Sequence, residues 1–480
     1  MKHVCAMMIA VLLVVCAEIP VHATIVWKGQ AVEEWPTEAF PERTKAHKHL
    51  AKATSTTTGL GFYASPKGAY KGLTLLVDFS DNPATFTKAE VLDWLNKPGF
   101  TGNGCEGSVR DFYLDVSNGL FDYSNDVYGY YRAKHTKAWY ENLNSGLNNV
   151  GADSLLKEVI AAFDDSLDYA QYDVDKDGYT DAINIVYVGN AVAWNKGLWP
   201  HAGIIGEQRD NVILVRYEMT NLPSAFSLGT FVHENGHMIF GWPDLYYFGD
   251  YCMIGMGASD SPKNPVPPND FYRADQGWIP LTDLSSTLFS AETTNASNGY
   301  LYSNPNNSKE GYFWSYIKGW KRWSYLGSSG LLVLHYNLAE MANSSPTHLQ
   351  LRVVEADGNN YLLSTKMPSP GYSPSDFFSS VTRDSLINPL WYDSSESGLR
   401  LTKVGNPMGT ISFIMEGPGR SSSLSSSSTN SSSVSSSSEI SSSSTTTRVL
   451  VNGSTPSINP EGAVRYDLLG RSRSLNFVNP

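Results

Sequence analysis

The stretch Thr230-Phe-Val-His233-Glu234-Asn-Gly-His237-Met-Ile-Phe-Gly241-Trp-Pro-Asp244-Leu-Tyr246 carries the pattern H-E-x-x-H, then a glycine and an aspartate. On a helix of about 3.6 residues per turn, His233 and His237 lie one turn apart on one face. Two imidazole nitrogens can then converge on one metal ion, and zinc suits that geometry. Glu234 sits beside the first imidazole, where its carboxylate can take a proton from a water activated by the metal and pass it to a leaving amine. The chemistry implied is hydrolysis of a peptide bond. The same spacing also occurs by chance on solvated or half-buried helix faces, so the elements around it decide.

Those elements favour a positioned helix. Gly229 to Phe240 reads as helical, with Leu228, Val232 and Ile239 available for a core face, and Gly241 with the restricted residue before Pro243 ends it. Gly236 inside it costs ~1 kcal/mol relative to alanine, which predicts a close approach by another backbone. Upstream, Leu73 to Phe79 is a buried strand candidate, because its apolar run does not alternate. Gly107 to Tyr131 reads as a short helix followed by aromatic strand, Asp153 to Phe163 as a helix, and Ile183 to Val188 and Val212 to Tyr217 as strands. Beyond Trp278 the strand candidates are Leu331 to Tyr336, Leu349 to Val354, Tyr361 to Leu363, Leu399 to Lys403 and Thr410 to Met415, separated by turn residues. The expected fold is α+β, a catalytic core followed by a β-rich C-terminal half.

A second metal pattern precedes the helix. Asp173-Val-Asp175-Lys-Asp177-Gly178-Tyr179-Thr-Asp181 follows the calcium-loop order D-x-D-x-D-G-x-x-D, with Tyr179 at the position that supplies a backbone carbonyl. Asn184 stands at the twelfth position in place of Glu, and an apolar run follows. The expectation is a lone calcium loop fixing the strand at Ile183; an acidic surface turn is the alternative.

The chain has 480 residues, 41% of them hydrophobic and 12% aromatic, enough for a sizeable core. Its 35 Lys and Arg against 47 Asp and Glu give a net charge of -12, which offers no broad basic surface to nucleic acid. Residues 1–23 read as a signal peptide: Lys2 and His3, an apolar run from Ala6 to Ala17, and Val21-His22-Ala23 before the cut. A lipoprotein cut at Cys16 is the alternative. No later apolar run is long enough to span a bilayer, so a secreted or cell-surface protein is expected. Residues 24–68 read as a prosegment or irregular arm, 69–289 as the catalytic part and 290–417 as the β-rich part. Residues 418–447 are a Ser/Thr-rich linker, and 448–480 a short tail that could serve secretion machinery or surface attachment. After signal removal only Cys105 and Cys252 remain; an oxidising compartment favours one disulfide between them, with two buried thiols as the alternative.

Taken in order, Leu75-Leu-Val-Asp78-Phe-Ser-Asp81, Ser108-Val-Arg-Asp-Phe-Tyr113, Asp126-Val-Tyr-Gly-Tyr130, the metal helix, Pro243-Asp-Leu-Tyr246, Gly330-Leu-Leu-Val-Leu-His335 and Glu355-Ala-Asp-Gly358 are similar to the immune inhibitor A family of secreted bacterial metallopeptidases. The resemblance implies a metzincin-like zinc fold acting on protein or peptide substrates, with His233, His237 and Asp244 on zinc and Glu234 as general base. It also implies a methionine turn beneath the zinc, filled by Met253 or, less well, Met256. His201 in Trp199-Pro-His201 matches a family element and either borders the cleft or is structural. One departure stands out: three residues, not two, separate His237 from Gly241. An extra helical residue or bulge must be absorbed before Asp244 can reach the metal, and Asp250 is the nearest alternative carboxylate. A noncatalytic binding protein and a zinc hydrolase of non-peptide bonds remain the rival functions.

Overall fold

The computed structural model describes residues 25–27, 30–32, 60, 63, 66–143, 149–191, 197–295, 298–340, 346, 349–363 and 371–418. The expected signal peptide, the Ser/Thr-rich stretch beyond 418 and the C-terminal tail lie outside the described residues. Between 24 and 68 only short pieces are described.

The chain is mixed α and β. Its first sheet contains β1 (Ile25–Trp27), β2 (Gln30–Val32), β3 (Gly68–Asp78), β4 (Phe121–Arg132), β5 (Ile183–Val188), β6 (His201–Arg209) and β7 (Val212–Leu222), in the order β2-β1-β6-β7-β5-β3-β4. β4, β3, β5 and β7 run parallel, β6 is antiparallel to β7, and the β1–β2 hairpin adds to β6 through a parallel pairing. Parallel neighbours need crossovers, and helices supply them: α1 (Lys88–Asn96) and α2 (Val109–Val116) between β3 and β4, then α3 (Lys137–Leu143) and α4 (Val150–Phe163) between β4 and β5. Thr87 with Glu90, and Ser108 with Asp111, close capping boxes at the starts of α1 and α2.

The continuous apolar run of β3 is explained by burial on both faces. Leu73, Leu75 and Val77 pack with Tyr140, Leu155 and Val159 from α3 and α4, while Leu76 packs on the opposite face with the aromatic residues of α1 and α2 and with the helix that carries His233 and His237. That helix, α5, runs Gly229–Asn235 and continues as a π turn over Gly236–Phe240. α6 (Asp270–Asp275) follows.

The second sheet joins β8 (Leu281–Asp283), β10 (Gly299–Asn304), β11 (Asn307–Ile317), β12 (Gly330–Asn337) and β13 (Leu351–Val354). The third joins β9 (Phe289–Thr294), β14 (Leu386–Ile387), β15 (Arg400–Thr402) and β16 (Ile411–Glu416). One face of the second sheet, with Phe313, Leu332, Leu334 and Val353, shares a core with Phe271 and Trp278 near the metal helix; the other face, with Tyr300, Trp314 and Val333, packs on Leu401, Phe413 and Met415 of the third sheet. The β-rich half is therefore bolted to the core by a common apolar layer.

Two expectations are corrected. Tyr361 to Leu363 forms a 3-10 turn and not a strand, because the backbone N–H groups of Tyr361 and Leu362 bond to the Glu355 carboxylate, at 2.8 and 3.1 Å, instead of to a neighbouring strand. Cys105 and Cys252 are free buried thiols rather than a disulfide. Cys105 Sγ points to the Phe226 carbonyl at 3.6 Å, whereas Cys252 Sγ accepts from the backbone and side-chain N–H of Asn269 at 3.3 and 3.4 Å.

Candidate metal centre

The start of α5 has no side-chain cap. Pro262 O accepts from the N–H of Leu228 and Gly229 at 2.8 and 3.0 Å, so a loop carbonyl satisfies two backbone donors at the helix start that have no partner within the helix. A Cβ at Gly229 would stand 2.1 Å from the Ala258 carbonyl oxygen, which makes glycine obligatory at this docking point. Leu228, Val232 and Ile239 are all buried, as the spacing requires. At Gly236 the close approach comes from side chains rather than from backbone: a Cβ would meet Ile254 Cδ1 at 2.3 Å and Met253 Cε at 2.9 Å.

The extra residue is absorbed in the π turn. Gly241 donates its N–H to both Gly236 O and His237 O, then leaves the helix with φ of 71°, a left-handed value natural to glycine. The chain turns back, and Asp244 Oδ1 comes to 3.3 Å from His233 Nε2 and 3.3 Å from His237 Nε2; the two Nε2 atoms are 3.1 Å apart. Zinc bonded at about 2.0–2.1 Å to tetrahedral ligands sets those ligands about 3.3 Å from one another. The three donor atoms have the spacing zinc needs.

Backbone carbonyls fix the imidazoles. His233 Nδ1 lies 2.8 Å from Met253 O and His237 Nδ1 lies 2.6 Å from Trp242 O, so each ring gives its Nδ1 proton to a carbonyl and presents Nε2 to the shared centre. Leu245 N–H donates to Ile254 O at 3.0 Å, tying the Asp244 segment to the Met253 segment. Met253 is fully buried beneath Gly236, whereas Met256 is half-buried. Neither carbonyl partner was legible in the sequence, since any residue can supply one.

Electrostatics are consistent with a cation here. Burial alone would lower His233, but the hydrogen bond it donates to Asp244 and the charges of Glu234 and Asp244 raise it to about 9. Burial acts to raise Asp244, yet His237 and His233 outweigh it and hold this carboxyl well below the usual range. A proton and a divalent ion compete for the same nitrogen, so a site that attracts the one attracts the other. Glu234 is 2% exposed, and its Oε2 has no hydrogen-bond partner among the described residues. Burial pushes its carboxyl up to about 7 against the pull of both imidazoles.

The remaining expected residues divide. Asp250 stands apart from the three donors, turned toward Asp260 and Tyr325; burial first and then Asp260 raise it to about 7. His201 is fully buried with both ring nitrogens engaged, Nδ1 with Trp199 O at 2.7 Å and Nε2 with Tyr217 Oη at 2.9 Å, and so does not border a cleft. In the acidic loop Asp173, Asp175 and Asp177 bring carboxylate oxygens within 4.8 Å of one another. Asp173 also accepts from the N–H of Asp177 and Gly178 at 3.0 and 3.1 Å, and Gly178 makes the turn at φ of 94°. Asp181 directs Oδ2 to the Val174 N–H at 2.6 Å and is not gathered with the other three; burial is the main cause that raises it to about 7. Tyr179 pairs with Ile213 of β7, and Asn184 turns into the sheet, donating to Leu73 O and Asn125 Oδ1. A third acidic group, Glu355, Asp357 and Asp376, escaped the sequence reading because Asp376 is remote in the chain.

No family model matches the chain. Two curated relatives do, both the pre-pro-metalloprotease PrtV of Vibrio cholerae serotype O1, from two strains. Each is 26% identical over 274 residues, a stretch covering 46% of this chain and 30% of the relative. The chain thus corresponds to less than a third of the relatives' length. Among the described residues no helix is long and apolar enough to cross a membrane.

Proposed function

We propose that the chain is a secreted zinc-dependent endopeptidase with a metzincin-like core, acting on protein or peptide substrates. The observation that carries this reading is the triangle of His233 Nε2, His237 Nε2 and Asp244 Oδ1 at 3.1–3.3 Å, with the buried Glu234 on the same helix. Met253 packed beneath that helix and the distant similarity to a bacterial metalloprotease support it.

His233, His237 and Asp244 would hold the ion, with the Met253 and Trp242 carbonyls keeping each Nε2 free for it. Zinc in such a site supplies Lewis acidity, polarising a carbonyl and lowering the pKa of a water. Glu234 takes the proton from the attacking water and returns it to the leaving amine; a carboxyl held near neutrality can do both. The acidic loop at Asp173, Asp175 and Asp177, with Tyr179 and Asp181 completing its ligand order, would bind calcium as a structural ion. A casein or gelatin assay tests the function: hydrolysis should stop with a chelator and return with added zinc. Hydrolysis indifferent to chelation would exclude a metal enzyme, and absence of hydrolysis in the zinc-loaded protein would exclude a protease.

A further inference from the structure

Glu355, Asp357 and Asp376 each offer a carboxylate oxygen, all within 4.8 Å of one another. They come from two turns. Glu355 and Asp357 follow β13, Asp376 ends the 3-10 turn Pro374–Asp376, and Ala356 N–H donating to Asp376 O at 3.1 Å holds the turns together. Glu355 and Asp376 are 4% and 2% exposed, so two carboxylates stand side by side away from water. Asp376 Oδ2 accepts from Tyr251 Oη at 2.7 Å and from Ser373 N at 3.1 Å, but the buried Oδ1 has no hydrogen-bond partner among the described residues. The nearby Arg383 donates from Nη1 to the Ala356 carbonyl at 3.4 Å, and among the described residues it forms no ion pair with these carboxylates.

Clustered carboxylates repel unless a proton or cation lies between them, and an orphaned buried oxygen is costly. Oxygen donors around one calcium ion, each at about 2.3–2.6 Å, lie no more than about 5 Å apart, and these three carboxylates fall within that limit. We infer that Glu355, Asp357 and Asp376 form a binding site for a divalent, oxygen-preferring cation of the calcium class, separate from both the zinc triangle and the Asp173 loop. Its place gives it a role. Tyr251, which holds Asp376, is two residues before Met253, whose carbonyl orients His233. An ion here braces the methionine turn from the β-rich side.

Equilibrium dialysis of the full chain against calcium tests the site, in an Asp175→Asn, Asp177→Asn background that silences the loop. That protein should still retain calcium. Adding Asp357→Asn, an exposed change that spares the core, should weaken retention by ~10-fold or more, and Asp376→Asn should abolish it. Zinc content should stay constant throughout, so a failure of the endopeptidase reading would show separately, as missing zinc or hydrolysis. Unchanged calcium affinity and number in Asp357→Asn would overturn the inference, whether or not Asp376→Asn folds.

Discussion

The proposed zinc triangle and the acidic loop are both short stretches rich in candidate ligands, yet they are held in opposite ways. The donors of the triangle are placed from outside: Met253 O and Trp242 O aim the rings, Tyr113 Oη donates to Val232 O at 3.1 Å, and Pro262 O anchors the helix start. The loop is held largely by itself, its carboxylates accepting N–H groups from residues two to seven positions away. Where tertiary packing has already imposed the geometry, an ion adds chemistry and little shape. Where a loop must hold its own negative charges together, an ion adds stability.

The sharpest break between the two regions is a double change, His233→Ala with His237→Ala. Zinc should be lost while calcium retention by the loop stays near that of the parent, as metal analysis would show; equal zinc in the double variant would dissolve the triangle. Within the triangle, Asp244→Ala should weaken zinc by ~10-fold or more, whereas Asp250→Ala should leave it unchanged. A titration with the opposite ranking would reassign the third ligand.

The loop should respond in the reverse sense. Asp175→Asn with Asp177→Asn should leave zinc content unaltered but lose the loop's share of calcium-dependent stabilisation, worth about 2.7 kcal/mol when calcium is a hundredfold above the loop's dissociation constant. If calcium does not move the parent protein's melting temperature, the loop is only a turn.

A smaller effect separates histidines that attract a cation from one that does not. Burial, only partly opposed by the Trp199 carbonyl, lowers His201 from 6.5 to about 4. Between those values the unfolded chain takes up a proton that the folded chain refuses, so His201 costs stability as pH falls. From pH 6.5 to pH 5 the loss is about 2 kcal/mol. Denaturant titrations should show this slope flattened in His201→Gln. An equal slope in both proteins would mean that His201 is not held neutral.

Much of this was legible in the sequence because it depends on local pattern. Continuous apolar runs mark β3, β5 and β7, which are buried nearly throughout, and helical spacing places His233 and His237 together. The irregular interval before Gly241 announced an absorbed residue, although only the structure shows it as a π turn. What was hidden depends on distant partners. The hairpin of β10 and β11 is not legible because polar Ser308 to Glu310 interrupts its aromatic alternation, nor is β6, because Gly203 and Gly206 dilute its pattern. The shared layer between Phe271 and Phe313, the separate surroundings of Cys105 and Cys252, and the meeting of Asp376 with Glu355 are all long-range, and no spacing reports them.

The central claim joins a held ion to a proton carrier that does not hold it, and Glu234→Ala separates the two. Zinc measured on the purified variant should match the parent, while peptide hydrolysis falls by about 10²–10⁴-fold, the usual range for loss of a general base. A Glu234→Ala protein that holds its zinc and hydrolyses peptides at the parent rate would contradict the account.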